Sequence, residues 1–202
     1  MPRSVHELAE EMKKLQDEME DALEGIRDKA QFTIENRRVI FEEKLRTFHI
    51  SQRRSALLQI IRARFLVLIT VPVIYSVVIP FALLDLFVSI YQTICFPVYR
   101  IPKVARRDYL IFDRRYLAYL NWIEKLNCAY CSYATGVIAY SQEVTSRTEQ
   151  YWCPIKHARR IYDTHKRYVN FLEYGDAEAY RDTRLRIRED LRNEGDETTG
   201  SA

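Results

Sequence analysis

Four side chains in this sequence could share a metal ion. "NCAYC" carries Cys128 and Cys131, and "YWCPIKHARR" carries Cys153 and His157. Together they spell C-x2-C-x21-C-x3-H. Thiolate and imidazole are the ligand set of structural zinc, and three cysteines with one histidine is a common tetrahedral version. Iron–sulfur ligation by the same set is less usual. Proline at a first helical position costs no hydrogen bond, so Pro154 reads as opening a helix with Cys153 at or beside its N-cap. That setting favours the thiolate, and His157, four residues on, shares its face. Two other readings stay open: a C-x-x-C redox pair, although no β-α-β pattern surrounds it, and thiols that pack as small apolar groups. Four protein ligands leave zinc no open position for substrate, so the metal reads as a structural staple. The rival is a membrane-bound redox or hydrolytic enzyme using the metal, with Asp85, Asp113 or Glu143 beside it. One condition attaches to any such site. A helix running on from Cys131 would carry the chain away at about 1.5 Å per residue. Convergence therefore requires a break, and Gly136 is the candidate.

The elements that would position these residues read as mainly α. Val5, Leu8, Met12, Leu15, Met19, Ala22 and Ile26 are spaced 3, 4, 3, 4, 3, 4. That is an a/d heptad seam of about three heptads. Ser4 with Glu7 makes a capping box at its start. Ile34, Phe41, Leu45 and Phe48 keep a helical spacing, so helix is predicted, broken in places, to about residue 64. The run from Phe65 to Tyr99 is 35 residues long with a single charge, Asp85. Arg53, Arg54, Arg62 and Arg64 precede it, and Arg100, Lys103, Arg106 and Arg107 follow it. Basic residues collect on the cytoplasmic side, so basic flanks at both ends predict a hairpin that turns near Pro80 and has both termini in the cytoplasm. A single tilted span followed by an interfacial helix is the runner-up. An acid within such a run is a functional candidate unless it sits near the turn, within reach of water. Cys95 reads as packing, and His6, His49 and His165 read as structural or solvated.

Beyond the run, Leu117, Leu120, Ile123 and Leu126 recur at helical spacing among many tyrosines and tryptophans, side chains enriched at membrane–water interfaces. Ile155, Ala158, Tyr162, His165, Val169 and Leu172 predict a helix from Pro154 that stops at Gly175. "NEGDETTGSA" reads as a disordered tail. The balance of 31 Lys+Arg against 28 Asp+Glu points to no nucleic-acid partner. Five scattered glycines exclude phosphate-cradling loops. The first apolar run begins near residue 57, so no signal peptide is predicted.

"PFALLDLFVSIYQTICFPVYRIPKV", "EKLNCAYCSY" and "RTEQYWCPIKHARR" resemble a group of short proteobacterial membrane proteins, over about residues 80–160. The resemblance implies a bacterial inner-membrane setting and brings no reaction with it. The sequence therefore predicts a helical arm (1–56), a membrane-inserted hairpin (57–99), a small helical domain stapled by metal at Cys128, Cys131, Cys153 and His157 (100–175), and a charged tail (176–202). The predicted role is a non-enzymatic anchoring or assembly subunit. Its partners would be membrane lipid and, through residues 4–28, another copy or a different protein.

Overall fold

The computed structural model describes residues 5–29, 32–35, 38–41, 43–53, 55 and 65–199. The fold is mainly helical. Its elements in chain order are α1 (Val5–Lys29), β1 (Phe32–Glu35), β2 (Arg38–Phe41), α2 (Glu43–Ser51), α3 (Phe65–Ser76), α4 (Val78–Tyr99), α5 (Trp122–Trp152) and α6 (Ala177–Thr199). Short 3-10 turns lie at Arg106–Asp108, Asp113–Tyr116 and Lys166–Asn170. The chain divides into two compact units, Met1–Val73 with Phe112–Ser132, and Ile74–Ile111 with Tyr133–Ala202.

In the first unit α1 is the predicted heptad helix, and every described side chain from Glu10 to Ala22 is exposed. Ser4, its expected cap, lies outside the described residues. The helix expected through residue 41 is instead an antiparallel pair, β1 against β2, with Phe32 opposite Phe41 and Glu35 opposite Arg38. Thr33, Ile34, Val39 and Ile40 are β-branched and lose less in a pleated strand than in a helix. β2 packs beside the turn Asp113–Tyr116. The His49 ring stands edge-on to Phe41 and to Tyr119, each at 5.2 Å between centroids. Asn121 starts α5 as a capping box. Its side-chain oxygen accepts from the N–H groups of Ile123 and Glu124. The Glu124 carboxylate accepts from the Asn121 N–H at 2.8 Å.

The turn expected near Pro80 is not there. Val77, between α3 and α4, keeps right-handed helical angles (φ −66, ψ −15), and Leu68–Tyr99 makes one helix of 32 residues, long and apolar enough to cross a membrane. Pro80 lies in the first turn of α4, where a missing N–H leaves no bond unmade. Residues 57–64, the expected start of the first arm, lie outside the described residues. Arg100 ends α4 in the left-handed region (φ 57), and the Ile101 N–H returns to the Phe96 carbonyl at 2.9 Å, the closing bond of a left-handed helix cap. The chain then doubles back. Ile101 and Val104 are buried with Phe96, Tyr140, Val144 and Leu191 in the core of the second unit.

Two further expectations change in this unit. Pro154 does not open a helix but stands just past the end of one. A residue before proline is driven out of the α region, and α5 stops at Trp152, one residue before Cys153. Residues 153–165 are irregular, tied by the Leu172 N–H to the Pro154 carbonyl (2.9 Å) and the Lys156 N–H to the Leu172 carbonyl (2.7 Å). The charged tail is helical through Thr199, and the Asp176 carboxylate accepts the Ala179 N–H at 2.9 Å, as an N-cap does. Ile187 and Leu191 bury one stripe of α6, and Arg188 covers the end of α5, donating to the Tyr151 carbonyl at 2.6 Å.

Candidate functional site

The metal constellation is tested first by the helix that carries most of it. α5 runs unbroken through Gly136. Cys128 and Cys131 stand in its first half. Cys153 follows its last residue and continues its bonding, with its N–H on the Glu149 carbonyl at 2.8 Å. At the rise of an α-helix, the stretch from Cys131 to Cys153 amounts to roughly 33 Å. The break that convergence requires is absent, so the four residues do not fit a single metal ion within one chain. His157 stacks on Tyr168 (centroids 6.4 Å, planes 15° apart), and its N–H donates to the Tyr168 hydroxyl at 2.7 Å. Among the described residues no group of three or more His, Cys, Asp or Glu side chains is placed to hold a metal.

Gly136 has a different task. A Cβ there would lie 2.7 Å from the Tyr109 carbonyl oxygen and 3.2 Å from the Leu110 Cα. The glycine lets the returning segment press its backbone onto α5.

What the structure does assemble is a polar seam along the buried face of the apolar helix. Asp85, Ser89, Gln92 and Phe96 are spaced 4, 3, 4 and share one face of α4. Asp85 and Gln92 are buried, each with 7% of its surface exposed, and Phe96 is wholly buried. Asp85 accepts from Arg106 through both carboxylate oxygens, Nε at 2.8 Å and Nη2 at 2.5 Å, and from the Tyr133 hydroxyl at 3.0 Å. Gln92 donates to the Tyr140 hydroxyl (2.9 Å) and to the Val104 carbonyl (3.1 Å), and accepts the Val104 N–H (2.9 Å). Ser89 stands 3.4 Å from the same Tyr140 hydroxyl. The partners Tyr133, Tyr140 and Thr148 of α5 meet Asp85, Gln92 and Tyr91 of α4, so the two helices run broadly parallel here.

The outer face of α4 is the opposite. Leu83, Phe87, Ile90, Ile94 and Val98, spaced 4, 3, 4, 4, are exposed, Phe87 by 65% and Val98 by 73%. A helix of a water-soluble domain turns its apolar stripe inward. This one turns its polar stripe inward and its apolar stripe out. Of the seam only Asp85 stood out in the sequence. The 4-3 recurrence of polar residues inside an apolar run was the signal for the rest.

A second cluster ties α6 to α5. Arg167 donates to Glu143 (3.0 Å), to Gln150 (2.8 Å) and to both oxygens of Glu194 (2.9 and 2.7 Å). Arg147 reaches Glu143 at 2.8 Å and the Pro102 carbonyl at 2.8 Å. Burial alone would raise the Glu143 carboxyl, but Arg147 and Arg167 together outweigh it and hold it below its ordinary value, since nearby cations favour the charged form.

Comparison with family models, with curated proteins and with solved structures finds no match for this chain.

Proposed function

We propose that this protein is a membrane-attached, non-enzymatic assembly subunit, held in a bacterial inner membrane by α3 and α4. The observation that carries the reading is the reversed polarity of α4. Hydrocarbon tolerates an apolar surface but no unsatisfied polar group, so a helix in lipid hides its polar side chains against protein. The carboxylates that catalysis could have used support the non-enzymatic part. Asp85 is held by Arg106, and Glu143 by Arg147 and Arg167.

The reading includes both flanks of the apolar helix on one side of the membrane, so the unbroken helix Leu68–Tyr99 lies along that face with its apolar stripe in the lipid instead of crossing. Its support is packing within the first unit. α2 and β2 precede the helix, the segment 113–119 follows it, and His49 touches Tyr119. One net crossing between Ser51 and Asp113 would put these partners on opposite sides of a layer about 30 Å thick. Gln52→Cys and Arg114→Cys test this in intact cells and in inverted vesicles, with an impermeant thiol reagent and each peptide read by mass. Both sites are expected to label only in inverted vesicles. Labelling of the two from opposite sides would remove the one-sided reading, and protein recovered wholly from the soluble fraction would remove the membrane reading.

A further inference from the structure

The α1 seam has an exposed apolar face in a chain whose own core lies elsewhere. Met12, Leu15 and Met19 are exposed by 62%, 59% and 57%. A lone helix of this length is marginal in water, and most helical stability comes from packing an apolar face. We propose that this face pairs with α1 of a second copy, parallel and in register. The proposal deepens the assembly reading above by naming the partner.

The charges beside the seam decide both the occupant and the direction. With Val5, Met12, Met19 and Ile26 at a and Leu8, Leu15 and Ala22 at d, the g positions hold Glu11 and Glu18. The e positions hold Ala9, Gln16 and Leu23. In a parallel pair each g faces the following e of the partner, so Glu11 meets Gln16 and Glu18 meets Leu23. No like charges oppose one another across those positions. In an antiparallel pair g faces g, and Glu11 of each copy meets Glu18 of the other, twice per dimer. Like charges so placed are destabilising. A basic partner helix would be drawn to the acids at g, but uncharged e positions give it no second row to read. The self-pair matches both flanks. Two chains attached to one membrane from one side also present their arms in the same direction, as the parallel pair requires.

The test uses the intact protein in mild detergent. Its mass by light scattering is expected to be that of two chains, and Leu15→Asp, at an exposed site of the single chain, should halve it. Ala22→Cys fixes direction. In a parallel pair the two d-position thiols face each other and mild oxidation gives a covalent dimer absent from the parent protein. In an antiparallel pair Ala22 lies against Val5 of the partner, and only a mixture of Ala22→Cys with Val5→Cys cross-links. A one-chain mass for the parent protein, or cross-linking of the mixture alone, overturns the proposal. Membrane attachment is read separately by the labelling above, so either result can fail without the other.

Discussion

Replacing Gly136 by alanine sets two effects of opposite sign against each other. Inside a helix alanine is favoured over glycine by about 0.8–1 kcal/mol. At position 136 the new methyl would lie 2.7 Å from the Tyr109 carbonyl oxygen and 3.2 Å from the Leu110 Cα. Both are backbone atoms of a segment pinned by the buried Val104 and the Asp85–Arg106 pair, so neither can swing aside as a flexible side chain would. Overpacking of this kind costs about 1–3 kcal/mol, and backbone contacts place it in the upper half of that range. The clash wins, and Gly136→Ala should destabilise the second unit by about 1 kcal/mol, a fall of roughly 2–4 °C in melting midpoint for a chain of this size. Gly25→Ala is the control. No atom lies within 4 Å of a Cβ there. Propensity then acts alone, and α1 should gain about 0.8–1 kcal/mol in protection. Thermal melts followed by aromatic circular dichroism report the first change, and amide hydrogen exchange along α1 reports the second. A raised midpoint for Gly136→Ala would show that residues 109–110 do not press on α5, and the packing described for the second unit would fall with it.

Two other perturbations reach different parts of the fold. Glu143 is held below its ordinary pKa of 4.5 in the folded chain. Its contribution is therefore present above the unfolded value and is lost as pH falls through the lower, folded value. Melting midpoints should be nearly level from about pH 7 to about pH 5 and drop below that, and Glu143→Gln should flatten the acid limb. An unchanged acid limb would mean that the Glu143–Arg147–Arg167 cluster is not formed. Cys153 is exposed at the end of α5, and Cys153→Ser should leave both the melting midpoint and the metal content of the purified protein unchanged. Loss of one equivalent of zinc in that variant would show that Cys128 and Cys131 do meet Cys153 and His157, and that α5 breaks in solution.

The elements legible in the sequence were those with a strong single period. The α1 heptads and the apolar run of α3 and α4 repeat one signal for several turns, and local chemistry alone produces them. The β1–β2 pair was hidden because Ile34, Phe41, Leu45 and Phe48 also fit a helical spacing. The better signal was two β-branched pairs close together in the chain, Thr33 with Ile34 and Val39 with Ile40, the pattern of a hairpin. Asn121 with Glu124 and Asp176 with Ala179 were readable caps that mark the starts of α5 and α6. Pro154 misled because proline marks helix ends as well as helix beginnings, and only the residue before it, forced from the α region, separates the two cases. The metal spacing was real as a pattern, yet pattern does not say whether a helix runs through it. The seam partners Tyr133 and Tyr140 lie 48 residues from Asp85 and Gln92, a distance at which one-dimensional reading has no signal.

That separation has a consequence for how the protein is made. During synthesis α4 leaves the ribosome with its polar face unmatched. Val104 follows Gln92 by 12 residues and Arg106 follows Asp85 by 21, so the returning segment can serve the seam early. The tyrosines of α5 arrive 48 residues late. At ordinary elongation rates that is a wait of about 2–10 s. Through that interval an insertion machinery meets a helix that is greasy outside and half-quenched within. Lesions in α5 that remove Tyr133 or Tyr140 would then show up first as failed biogenesis and rapid proteolysis of newly made chains.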